Sequence, residues 1–82
     1  MIISGKSIFK FMETKGLPLE FVLMSLKEKD FLIDWIEFIQ ISIDNNWKLK
    51  GTLIKVENSL YDVYGKNEYT KKIIGRLNDY FN

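Results

Sequence analysis

The run Ser4-Gly5-Lys6-Ser7 is the first place in this 82-residue chain where residue types and spacing suggest chemistry, because it has the form of the end of a phosphate-binding loop. Such a loop cradles phosphate with successive backbone N–H groups. It needs a second glycine five positions before the one that precedes the lysine, and a buried strand ahead of it. Only four residues precede Gly5 and none is that glycine, so the run reads as a helix start, with Ser4 or Ser7 as its N-cap. A second candidate, Asp44-Asn45-Asn46, has the alternating oxygen donors that open a calcium loop. That loop requires glycine at its sixth place and glutamate at its twelfth, where this chain has Leu49 and Lys55. A lysine there repels the cation, and the reading fails.

Two charge clusters remain. Asp30, Asp34, Glu37 and Asp44 form an acidic group with no Lys or Arg from position 31 to position 47. Paired carboxylates do acid–base work only when burial raises one pKa. At helical spacing these acids lie opposite an apolar stripe, which makes them a solvated face. Lys48, Lys50 and Lys55 cluster near Gly51, and Lys71, Lys72 and Arg76 cluster further on. Either set could touch phosphate in the sequence-independent way that basic residues do. Glu68 stands four residues before Lys72 and Asp79 three after Arg76, spacings that favour local ion pairing instead.

The chain has neither histidine nor cysteine. Disulfides and thiolate metal sites are therefore excluded, along with the one side chain that titrates near neutral pH unaided. With a net charge of +1 there is no global demand for an acidic partner. Neither a signal peptide nor an apolar run of the roughly 20 residues needed to span a membrane is legible. These features predict a small soluble cytoplasmic protein that is not an enzyme and needs no metal or cofactor.

The elements that must position any site follow from punctuation and periodicity. Ile8, Phe9 and Met12 fall on a first helix that Gly16 ends in the left-handed conformation. Pro18 suits the first turn of a second, with Leu19, Val22, Leu23 and Leu26 as its inner stripe. Asp30 is placed to cap a third over residues 31–43, with Leu32, Ile36, Ile39 and Ile43 inward. Leu49, Leu53, Val56, Leu60 and Val63 step along a fourth helix that Gly65 closes. Asn67 caps a fifth, with Tyr69, Ile73, Leu77 and Tyr80 inward. No internal repeat shows in the residue pattern. The expected fold is an all-α, compact bundle of about five short helices forming one domain over residues 1–82. A competing α+β reading pairs a β-hairpin across residues 39–53, where Ile39, Ile41 and Ile43 alternate with polar residues.

Hydrophobic residues make up 46% of the chain and aromatics 15%, more than these stripes absorb. Phe21, Met24, Ile41, Ile54 and Tyr61 fall off the inner faces, and Trp47 and Tyr64 are natural interface anchors. Together they predict a non-catalytic protein-interaction or regulatory role through an apolar, aromatic surface, with a protein partner or a second copy of the chain. The alternative is nucleic-acid binding through Lys48, Lys50 and Lys55 or through Lys71, Lys72 and Arg76.

Overall fold

The computed structural model describes all 82 residues. In chain order the elements are β1 (Ile2–Ile3), α1 (Gly5–Lys15), α2 (Leu19–Lys27), β2 (Leu32–Ile33), α3 (Trp35–Asp44), α4 (Leu49–Tyr64) and α5 (Glu68–Phe81). The fold is an all-α bundle of five short helices, to which two two-residue strands add a parallel ribbon. The hairpin across residues 39–53 does not form. Ile39 to Ile43 lie within α3, and α4 starts at Leu49. Helix wins because Trp35, Phe38, Ile39 and Ser42, at helical spacing, are the residues that α3 buries. The Ser42 hydroxyl donates to the Phe38 carbonyl one turn back, so even the polar member of that face is satisfied.

Side-chain caps fix where α1, α3 and α5 begin. Ser4 accepts from the Ser7 N–H, Asp34 from the Glu37 N–H, and Asn67 from the Thr70 N–H. The last is a reciprocal capping box in which the buried Thr70 hydroxyl also donates to the Gly65 carbonyl. Asn67→Ala is therefore expected to cost about 1 kcal/mol in urea denaturation. Two expected starts move. Pro18 is the N-cap of α2 and precedes its first turn, and Asp34 caps α3 in place of Asp30, which adopts a left-handed φ of 52° between α2 and β2.

A repeat that the residue types conceal is plain in the backbone. Ile2 pairs with Leu32 and Ile3 with Ile33, thirty positions apart. At the same offset Ser4 and Asp34 cap α1 and α3, and Gly16 and Asn46 carry left-handed φ of 65° and 71°. Pro18 and Lys48 then precede α2 and α4 with extended backbone. The chain is thus two strand–helix–helix units in succession, followed by α5. Each unit packs on the other, α1 against α3 and α2 against α4.

One cluster of fourteen apolar residues forms the core. At its centre the Phe38 ring meets Phe9, Trp35 and Trp47 at centroid distances of 6.2, 5.7 and 6.3 Å. The buried face of α3 is rotated from the expected one: Trp35 and Phe38 are inside, whereas Ile36 is half-buried and Ile43 exposed. In α5, likewise, Ile74 and Leu77 point inward while Tyr69 and Tyr80 stand in solvent. Large rings took the central space in α3. In α5 the capping box fixed the helix phase. Gly51 and Gly75 lie within helices with open space where a Cβ would stand. Gly51→Ala and Gly75→Ala are each expected to raise stability by about 0.5–1 kcal/mol, read as a higher denaturation midpoint.

Candidate functional site

The seven apolar residues singled out from the sequence are spread over α2, α3, α4 and the turn before α4, and four of them are only partly exposed. Phe21 and Met24 are both 58% exposed on α2, and Ile54 is 49% exposed on α4. Ile54 lines a shallow groove with Leu53 and Phe81 on the α5 side of α4. The side of α4 that meets α2 is marked by Ser59, which donates to the Glu20 carboxylate at 2.6 Å. Ile41, Trp47, Tyr61 and Tyr64 pack against the core. Trp47 is wedged against Phe9 at 5.2 Å, with the Lys55 ammonium 5.5 Å from its ring centroid. The Lys27 ammonium donates to the Val63 carbonyl near the end of α4 and lies 5.9 Å from the Tyr64 ring centroid.

Among the charged candidates, Asp34 and Glu37 are engaged in the fold. The Ser4-Gly5-Lys6-Ser7 run is no phosphate cradle, because the Lys6 N–H already donates to the Glu37 carboxylate at 2.9 Å. That bond ties α3 to the first turn of α1, and Asp34 serves as a cap. The acidic residues do not converge on a cluster that could hold a metal ion. Lys48 precedes α4, and Lys50 and Lys55 lie on it. Lys71, Lys72 and Arg76 are exposed on α5.

Glu20 is held below its ordinary carboxylate value, chiefly by the Ser59 hydrogen bond, with Lys55 nearby adding to the effect against partial desolvation. Because the folded value is depressed, its contribution is present at neutral pH. It fades as pH falls from about 4.5 through the lowered value. Ser59→Ala is expected to cost about 1–2 kcal/mol at pH 7 and progressively less in acid, measured as denaturation midpoints across that range. Burial pushes the Tyr64 hydroxyl up, helped by Tyr69. Both groups serve packing between elements.

What the structure does bring together is a different set. Ile2, Leu32, Ile33, Trp35 and Ile36 on one side and Tyr69, Ile73, Arg76 and Leu77 on the other line a groove of about 370 Å³. Ile2 is 69% exposed, Leu32 53% and Tyr69 49%. As register partners, Ile2 and Leu32 stand side by side on one face of the ribbon. Trp35 and Leu77, both buried, form the floor. This size and lining are those of a binding cleft. Sequence reasoning missed it because each half of the ribbon is only two residues long. The available signal was the matching pair Ile2-Ile3-Ser4 and Leu32-Ile33-Asp34, an apolar dipeptide before a helix cap at a thirty-residue offset.

Comparison with known proteins adds one likeness. Over 63 residues, 77% of this chain, the sequence is 33% identical to the alanine–tRNA ligase of Chlamydia caviae. The chain spans only 7% of that ligase's length. No protein-family model matches the chain, and no solved structure matches it at a significant level. No helix is long and apolar enough to cross a membrane.

Proposed function

We propose that this protein is a small, non-catalytic interaction or regulatory protein of the cytoplasm that docks a protein partner, or a second copy of itself, in the groove between the ribbon and α5. One observation carries the reading: Ile2, Leu32 and Tyr69 are each about half exposed or more, around a single cleft with a buried floor. A mostly apolar cleft with a few polar groups at its rim is the usual form of a binding site. The absence of His and Cys supports a non-catalytic role. So does the location of Glu20 and Tyr64, whose proton affinities the fold shifts, since neither lines the groove. The test is the mass of the chain in solution over a rising concentration series, together with affinity capture. The reading expects concentration-dependent dimerisation or a stoichiometric partner. A chain that stays monomeric and captures nothing contradicts it.

The likeness to part of a tRNA ligase favours a second reading, contact with RNA through Lys71, Lys72 and Arg76 or through Lys48, Lys50 and Lys55. It expects retardation of a tRNA transcript in a gel at low salt, lost steeply as salt rises because counterion release drives such binding. No retardation at low salt would remove it.

A further inference from the structure

The groove has two features beyond its apolar lining, and together they specify what fits it. The ribbon is held by the Leu32 N–H donating to the Met1 carbonyl and the Asp34 N–H donating to the Ile3 carbonyl. In a parallel ladder alternate residues of a strand face one neighbour, so the Ile33 N–H and C=O turn to the outer edge of β2. The sheet has only β1 and β2, so no strand covers that edge, and Ile33 is itself on the groove wall. An unpaired edge is a template for another extended chain. The second feature is charge. Arg76 is exposed at the groove, with a guanidinium fork suited to a carboxylate. Asp34, the acid on the same wall, is already engaged as the cap of α3.

We infer that the groove binds an extended apolar peptide, which adds as a third strand beside β2 and sets its C-terminal carboxylate on Arg76. The inference rests on the groove being a docking surface. Backbone bonds to Ile33 give the peptide its direction. Ile73, Leu77 and Tyr69 receive its apolar side chains, and Arg76 selects for a negative charge. A small apolar acid would use Arg76 and the oily wall but would have nothing to offer the Ile33 edge.

The experiment is an NMR titration of the ¹⁵N-labelled full chain with three probes: acetyl-Val-Ile-Leu as the free acid, the same peptide as its C-terminal amide, and octanoate. The expected result has three parts. The Ile33 amide resonance moves downfield as it gains a hydrogen bond. The acid binds about tenfold tighter than the amide, the difference expected of one charge-assisted hydrogen bond. In Arg76→Gln, an exposed substitution, the preference for the acid over the amide is lost. Equal binding of acid and amide to the native chain overturns the inference, as does an Ile33 amide that stays in place, or octanoate binding as tightly as the peptide. If none of the probes moves any groove resonance, the docking-surface reading falls with it.

Discussion

Replacing Gly5 with alanine is expected to unfold much of the chain. A Cβ at this position would stand 2.0 Å from the Phe38 backbone nitrogen, 2.5 Å from its Cα and 2.6 Å from the Asp34 carbonyl oxygen. All three are backbone atoms, so no side chain can swing aside, and α1 must lift away from α3. That movement breaks the Lys6–Glu37 hydrogen bond and opens the contact between the Phe9 and Phe38 rings. It also pulls on the ribbon immediately before both helices. Overpacking usually costs about 1–3 kcal/mol, and the rigid backbone here places the expected loss at about 3–5 kcal/mol. A small domain has only about 5–15 kcal/mol in total, and one of this size sits low in that range. Urea denaturation followed by far-ultraviolet circular dichroism reads the effect. A midpoint equal to that of the native chain would mean that α1 and α3 do not cross at Gly5. The glycine that looked like part of a phosphate loop is therefore required for close helix packing.

The second large effect is at Phe38. Its side chain is fully buried and lies within ring contact of Phe9, Trp35 and Trp47. Phe38→Ala leaves a cavity at the junction of both repeats and is expected to cost about 3–5 kcal/mol. Aromatic contacts contribute about 0.5–1.5 kcal/mol each beyond area burial, so Phe38→Leu, which restores much of the volume, should recover part of the loss but not all. Trp35 and Trp47 report the change directly, since both rings touch the substituted side chain and their fluorescence should shift toward that of solvated indole. Gly5→Ala and Phe38→Ala act on the same junction, so the double variant should lose less than the sum of the two. Full additivity would contradict a shared α1–α3 contact.

Much of the fold was legible in the residues, and the misses have physical causes. Gly16, Gly65 and Asn67 marked helix ends correctly because the backbone there needs a left-handed turn or a short side-chain acceptor, and few residues supply either. The inner stripes of α2 and α4 were read well, since Leu19, Val22 and Leu23, like Val56, Leu60 and Val63, pack where 3.6-residue periodicity puts them. The stripe of α3 was misplaced because isoleucines are spread around that helix, leaving Trp35 and Phe38 to decide which side is inside. Tyr69 and Tyr80 were placed inward on hydrophobicity alone, although a tyrosine hydroxyl is at ease in water. The repeat stayed hidden because its units agree in backbone conformation and capping role rather than in side chains. Gly16 and Asn46 share a left-handed φ yet have little else in common. The groove depends on that repeat, since only the pairing of β1 with β2 brings Ile2 beside Leu32.

On the proposed function the groove, and not the oily outer face of α2, is the surface this protein uses. The most direct measurement is the affinity for its own copy or captured partner of two charge-introducing pairs: Leu32→Lys with Tyr69→Lys, and Phe21→Lys with Met24→Lys. All four positions are exposed, so both chains should keep the native circular dichroism and melting behaviour. The groove pair is expected to weaken association by at least about a hundredfold, as loss of central apolar anchors does, and the α2 pair to change it little. Association that survives the groove pair but is lost with the α2 pair would contradict the proposed function.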